Sequence, residues 1–285
     1  GPDDLVVVLV SGGASANWIA PAGGLSLVEK QALTRQLLKS GAPIGAMNTV
    51  RRHLSRIKGG KLAIASHPAR LLTLAISDVP GDDPATIGSG PTVADPTTLA
   101  DALVALDRYG ITPESRIQAA LANSANETPK PGDQRLAAST YQLVATPGRS
   151  IAAAAEVIAA AGYRCITLGD ALEGEARTVA AEHAQLALAA RVRGERVAIL
   201  SGGELTVTVT GTGAGGPNQE YALGAAIALG GTPGIAALAA DTDGIDGGGG
   251  NSDDPAGATI DAGSGVSGRS QRPSSLTNRR PSASS

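Results

Sequence analysis

Five consecutive pieces of the chain, YQLVAT (141–146), SIAAAAEVIAAAG (150–162), YRCITLG (163–169), EGEARTVAAEHAQLALAAR (173–191) and RVAILSGG (196–203), alternate between two textures. The first, third and fifth are short and rich in apolar and β-branched residues, whereas the second and fourth are long and alanine-rich. Strand, helix, strand, helix, strand at this spacing predicts right-handed crossovers and a parallel sheet with helices on both faces, the α/β class.

The same alternation extends towards the start of the chain. Leu5 to Val10 reads as a fully buried strand closed by the glycine turn Ser11-Gly12-Gly13. Helical patterning follows over 26–40, with Gly41 as C-cap, and again over 44–58, where Val50, Leu54 and Ile57 share a face. A strand over 70–76 empties into ISDVPGDDPATIGSGPT (76–92), and a helix is expected from Thr97 to Arg108. NSANETPKPGDQ (123–134) reads as a connector or lid without regular structure.

Towards the end the texture changes. LTVTVT (205–210) alternates with period two and predicts a half-exposed strand, followed by a helix over 218–229, a strand over 234–240 and the acidic loop DTDGIDG (241–247). These patterns predict a first domain over 1–190, a smaller α/β domain over 194–262 and a disordered tail over 263–285, rich in Ser, Gly, Pro and Arg.

Composition narrows the function. The 285 residues are 42% hydrophobic and 17% charged, with 38 glycines and no Phe, so the core must come from Ala, Val, Leu and Ile. A net charge of −3 gives no field for nucleic acid or an anionic membrane, and no apolar run is long enough to span one. A lone cysteine, Cys165, fits a reducing compartment, the cytoplasm, and excludes a cysteine-built zinc site. The chain opens on Gly1-Pro2-Asp3-Asp4 directly before a strand and reads as a piece of a longer protein.

Four apolar strands end in small or acidic residues, and ligands of open parallel sheets bind at such ends. Ser11, Gly12, Gly13 and Ser15 form a candidate anion nest, Ser89 and Gly90 a second small-residue turn, and Gly202, Gly203 and Glu204 a third that carries a carboxylate. Arg51, Ser55 and Lys58 recur at helical spacing beside the apolar stripe, placing two cations at the rim of the core. His53 reads as structural. Asp78, Asp82 and Asp83, with Asp241, Asp243 and Asp246, are oxygen donors of the kind Mg²⁺ takes, although about half of such loop aspartates serve as caps and turn formers. Gly211, Gly213 and Gly216, with Asp241 beyond, outline a dinucleotide fingerprint, but the Thr/Val strand before it and the polar Pro217-Asn218-Gln219-Glu220 after it count against that reading.

Taken together, LVSGGASA, the run from EKQALTRQ to RIKGGKLA, ISDVPGDDPATIGSGPTVADPTT, ETPKPGD, LSGGELTVTV, GGPNQE and DTDGIDG resemble the MOFRL-type glycerate kinases, in order from about Asp3 to Asp261. The resemblance implies an ATP- and Mg²⁺-dependent glycerate 2-kinase converting D-glycerate to 2-phosphoglycerate. It also implies a Rossmann-like MOFRL-associated domain and a smaller MOFRL domain that closes the cleft. Relatives also carry the label hydroxypyruvate reductase, which keeps NAD(P)H-dependent chemistry as the alternative, with a non-catalytic phospho-ligand-binding remnant as the other.

Relatives have a further N-terminal stretch with no counterpart here, and the family pattern stops after Asp261, so the chain is expected to be truncated at both ends and weakly active or inactive alone. On the family reading Asp78 takes the hydroxyl proton and Arg51 and Lys58 steady the transferring group. Asp82, Asp241 and Asp243 hold the metal, and Asn218 joins the glycine turns in binding nucleotide. The sequence leaves room for a homodimer.

Overall fold

Apolar β-branched runs separated by glycine turns become parallel strands, and the stretches between them become helices. The computed structural model describes residues 1–77, 79–211, 215–242, 244–247 and 253–264. Asp78, Asp243, Gly213 and nearly all of the tail expected to be disordered lie outside the described residues. The fold is mixed α/β, and its contacts gather into two units, Gly1–Thr146 and Pro147–Ser285.

In the first unit the order is β1 (Leu5–Val10), α1 (Ala14–Asn17), α2 (Leu27–Lys39), α3 (Ile44–His53), α4 (Lys61–Ser66), β2 (Arg70–Ile76), α5 (Leu99–Arg108), α6 (Ser115–Ala122) and β3 (Ser139–Ala145). The three strands form one parallel sheet in the order β1-β2-β3. Val8, Val10, Leu71 and Ala75 pack from the sheet onto Ala63 and Ile87. Leu33 and Leu37 of α2, Val50 of α3, Leu106 of α5 and Leu121 of α6 build a separate helical core. Contrary to the reading of a fully buried strand, β1 is covered on one face only: Leu5, Val7 and Leu9 are 50–73% exposed, because the described helices of this unit leave that face uncovered.

The second unit contains α7 (Pro147–Ala160), β4 (Arg164–Thr167), β5 (Leu172–Glu175), α8 (Ala176–Val192), β6 (Val197–Leu200), β7 (Gly203–Thr206), α9 (Pro217–Leu229), β8 (Ala237–Ala240) and β9 (Gly257–Ile260). β4 pairs with β6 and β5 with β7, both parallel, and β8 with β9 antiparallel. The single sheet predicted over 141–203 is therefore divided: its first strand joins β1 and β2, and the rest pair among themselves. The contact division after Thr146 also falls earlier than 190, because α8 packs Ala180 and Ala184 against Ala222, Ala225 and Ala226 of α9. Gly224 lets the two helices approach, since a Cβ there would sit 3.2 Å from the Arg177 Cα. The expected strand over 205–210 shortens to β7, leaving Val209 78% exposed. No described helix is long and apolar enough to cross a membrane.

Gly60 shows how tightly the first unit is closed. It sits at φ +79°, where a Cβ would lie 2.6 Å from the Pro129 ring and 2.7 Å from the Val93 carbonyl oxygen. Gly60→Ala combines left-handed strain with overpacking and is expected to cost about 2–4 kcal/mol, read as a lower urea midpoint.

Candidate active site

α2 starts on a reciprocal cap, with the Ser26 hydroxyl accepting from the Glu29 amide at 3.2 Å and the Glu29 carboxylate accepting from the Ser26 amide at 2.7 Å. One turn further, Lys30 takes a core-facing position on the stripe it shares with Leu33 and Leu37, and all three are buried. Its Nζ has no hydrogen-bond partner among the described residues. Asn48 of α3, the neighbouring helix, is buried as well, with its Oδ1 unpaired.

The helix expected over 44–58 ends at His53, capped by Leu54. Beyond it the chain is drawn into a bridge with the segment before α2, as Ala22 N–H donates to Leu54 O at 3.1 Å and Arg56 N–H to Ala20 O at 2.8 Å. Lys58 is consequently not on a rim stripe with Arg51. It lies in the loop before α4 and is 2% exposed.

This loop runs beside the one after β2: Gly59 N–H donates to Ser89 O at 3.0 Å and Gly60 N–H to Gly90 O at 2.7 Å. Ser89 holds a left-handed backbone, φ 64°, a strained state for a serine that surrounding contacts must enforce. Lys58 Nζ donates to the Ser15 carbonyl at 2.5 Å and reaches the Ser89 hydroxyl at 3.5 Å, and the two serine hydroxyls lie 3.0 Å apart. Of the residues expected from sequence, Ser15, Lys58, Ser89 and Gly90 thus come together. Gly13 turns the chain from β1 into α1 at φ +76°, while Ser11 and Gly12 are exposed beside it.

The recess is electropositive. Burial first, then the charges of Lys30 and Arg51, push the Lys58 ammonium down to about 8. Burial, then Arg51, lowers Lys30 to about 8, and burial lowers half-buried Arg51. No carboxylate among the described residues is ion-paired or hydrogen-bonded to these three cations. Burying a charge without a partner costs several kcal/mol, so the arrangement suits an oxyanion brought in from solution.

Around the recess most polar groups are paired, although Arg52 Nε and Asp95 Oδ2 have no partner among the described residues. Arg52 donates to Asp95 Oδ1 at 3.1 Å and to Ala85 O at 2.5 Å, and Asp95 accepts from the Thr97 amide and hydroxyl at 3.1 and 2.7 Å. Lys61 Nζ is ringed by the carbonyls of Arg52, His53, Ser55 and Asn126. His53, read as structural, bridges Thr49 O at 2.8 Å and Glu127 Oε1 at 2.9 Å. Burial acts to raise the Glu127 carboxyl, but hydrogen bonds from Lys130, the Leu99 and Thr128 amides and His53 outweigh it and hold it at about 2. The stretch 123–134 is therefore no open lid: it carries two short 3₁₀ turns, Ser124–Asn126 and Gln134–Leu136, and anchors buried Thr128 to this network.

Lys61 is also lowered to about 8, burial being the main cause. Below about pH 8 these lysines are charged in folded and unfolded states alike, and the burial cost stands in full. As pH rises the folded form loses its protons first, so stability should climb from about pH 8 to about 10.5, where the unfolded lysines titrate too. Urea midpoints at about pH 7 and about pH 9.5 check this, with the higher value expected at the higher pH.

Asp82, half-buried at φ 54°, sits in the loop after β2, while Asp83 is a turn former, accepting from Ala85 N–H at 3.0 Å and Thr86 Oγ1 at 2.9 Å. In the second unit Gly202 and Gly203 have packing reasons of their own: a Cβ on Gly203 would strike the Leu172 backbone, and one on Gly202 would lie 3.2 Å from Ile151. Glu204 is exposed on β7. Asn218 is engaged with Asp246, which is 2% exposed and accepts from the Asn218 amide at 2.9 Å, its Nδ2 at 3.0 Å and the Gln219 amide at 2.8 Å, capping α9. Gly216 is required by that cap, since a Cβ there would strike Asp246. Asp241 is half-buried, its amide donating to Ala256 O at 2.7 Å. Among the described residues no three His, Cys, Asp or Glu side chains gather as a metal cluster.

Sequence reasoning missed Lys30, Asn48, Arg52, Asp95, Lys61 and Glu127. Only Lys30 left a legible signal, a lysine on the apolar stripe of its helix.

These features define an α/β protein with a buried cationic recess at the carboxyl ends of parallel strands, its three cations unpaired with any carboxylate among the described residues. Residues 1–122 match the family described as "Domain of unknown function (DUF4147)", and residues 197–279 match the MOFRL family. The chain is 53% identical to an Agrobacterium vitis protein named, provisionally, a hydroxypyruvate reductase, over 91% of this chain and 59% of that one. It is 39% identical to the D-glycerate 2-kinase of Thermotoga maritima, over 86% of this chain and 58% of that one. The crystal structure of a glycerate kinase from Thermotoga maritima superposes with a TM-score of 0.79 at 37% identity, over 92% of this chain and 62% of that one. The chain belongs to the MOFRL-type glycerate kinase family. It spans about three fifths of the length of these relatives.

Proposed function

We propose that the protein transfers the terminal phosphoryl group of ATP to the 2-hydroxyl of D-glycerate, giving 2-phosphoglycerate and ADP. The observation that carries this reading is the Lys58 ammonium, buried between the Ser15 and Ser89 turns beside Lys30 and Arg51, with no carboxylate among the described residues paired to it. Phosphoryl transfer needs positioning and charge stabilisation more than covalent catalysis.

Lys58 and Arg51 steady charge on the transferring group, while backbone N–H groups at Ser11, Gly12, Gly13 and Ser15 orient its oxygens; the Ser89 and Gly90 N–H groups are held by Thr86 O and Ile87 O, so that turn contributes the Ser89 hydroxyl beside Lys58. Asp78 accepts the hydroxyl proton. Gly202, Gly203, Glu204 and Asn218 contribute to holding nucleotide. Mg²⁺ keeps waters and takes only one or two carboxylates alongside phosphate oxygens, a requirement that half-buried Asp82 of the first unit and half-buried Asp241 of the second each meet without a larger cluster, with Asp243 a further candidate beside Asp241 in sequence. Such a metal would supply charge neutralisation at the phosphates. On this reading the Rossmann-like module covers 1–190 and the MOFRL module 194–262, the latter overlapping the family match over 197–279. Lone Cys165 supports a cytoplasmic setting.

The reductase reading is weakened because Gly216 already has a purpose in the α9 cap. A coupled ADP-release assay with D-glycerate, run beside NADH oxidation with hydroxypyruvate, separates the readings. ADP release dependent on D-glycerate is expected. NADH oxidation without ADP release favours the reductase, and ATP binding without either reaction favours a binding remnant.

A further inference from the structure

We propose that Lys30, with Arg51 near it and Asn48 buried on the adjoining helix, is an oxyanion-binding residue of the recess, taking a carboxylate or phosphoryl oxygen of the ligand. The choice of ligands rests on the kinase reading; the binding role does not.

Lys30 sits where α2 calls for an apolar side chain, on one stripe with Leu33 and Leu37, and is 8% exposed. Long ammonium side chains at such positions normally snorkel to water or meet a carboxylate. Lys30 does neither: its Nζ is buried and has no partner among the described residues. Asn48 is buried on the adjoining helix with its Oδ1 also unpaired, which leaves an amide able to reorient and donate through its NH₂. Lys30 lies near enough to Arg51 and Lys58 for its charge to act within that cluster: Arg51 lowers Lys30, and Lys30 lowers Lys58.

Lys58 is satisfied in part by Ser15 and Ser89, whereas Lys30 has only a charge to offer. A fold that wanted stability alone would place leucine or methionine at position 30. The lysine there weakens the protein until an anion arrives, as binding residues commonly do.

An oxyanion beside Lys30 raises its proton affinity, so binding near pH 8 should draw protons from the buffer. Titration calorimetry on the full chain with two probes, D-glycerate and inorganic phosphate, in two buffers of different ionisation enthalpy, measures affinity and proton uptake together. For K30M we expect roughly 10- to 100-fold weaker binding of at least one probe, smaller proton uptake, and a higher urea midpoint below about pH 8 because an unpaired buried charge is gone. K30R, which keeps the charge, should retain more affinity than K30M. The probe that loses more identifies the source, carboxylate for D-glycerate and phosphoryl for phosphate. Affinities within twofold of the unmodified protein for both probes would overturn the proposal, as would a lower urea midpoint for K30M, the mark of a purely structural lysine. Lys30-dependent binding without ADP release would leave this proposal standing and remove the kinase reading. Turnover with K30M binding unchanged would do the reverse.

Discussion

Replacing Lys58 with methionine is expected to lower kcat/KM for D-glycerate phosphorylation by roughly 10²- to 10³-fold, the range found when one preorganised charge-stabilising donor is removed. Methionine nearly matches the length of the lysine stem, and the site is 2% exposed, so packing is largely kept. The Ser15 carbonyl loses its donor at 2.5 Å and the Ser89 hydroxyl a neighbour at 3.5 Å. The loss should fall on kcat more than on KM, because charge on the phosphoryl oxygens grows in the transition state. A variant with an unchanged thermal midpoint and kcat/KM within twofold would remove Lys58 from the chemistry.

Asp95→Ala should cost about 3–5 kcal/mol, the usual penalty for breaking a buried ion pair from one side. Arg52, 8% exposed, would keep only the Ala85 carbonyl for its guanidinium, and Asp95 also orders Thr97 just before the Thr98 cap of α5. The loss should appear as a fall in the urea midpoint of the first unit, with collapse of the loop pairing that holds Ser89 against Gly59. Because that pairing positions Lys58, binding of phosphate should weaken in the same variant. An unchanged urea midpoint would mean that the Arg52 charge finds another partner.

The strands were legible because short apolar runs such as LVVVLV and RLLTLAI are bounded by turn residues that mark where they stop. Strand pairing was not. Nothing local in YQLVAT says that it joins β1 and β2 while RCIT pairs with VAIL, since register is set by long-range packing. The early end of α3 was hidden for the same reason: Leu54 leaves the helix because its carbonyl accepts from Ala22 N–H and Arg56 N–H donates to Ala20 O, far back in the chain.

In the site, Ser15, Lys58 and Ser89 could be grouped because small-residue turns at strand ends are where parallel sheets bind ligands. Asp95 lies in a loop before Pro96 and Glu127 falls in the polar connector over 123–134, and an ion pair across tens of residues leaves no periodic trace. Lys30 is visible in EKQALTRQLLK, but most lysines on helices are solvated, and beyond its place on the stripe nothing in the sequence marks this one as buried.

The most direct measurement of the central claim is phosphorus NMR of the protein incubated with ATP, Mg²⁺ and D-glycerate. Transfer to the 2-hydroxyl predicts a new phosphomonoester resonance split into a doublet by the single proton on C2, growing as ADP appears, and far slower with K58M. A spectrum in which ATP persists while the same protein oxidises NADH with hydroxypyruvate would contradict the account.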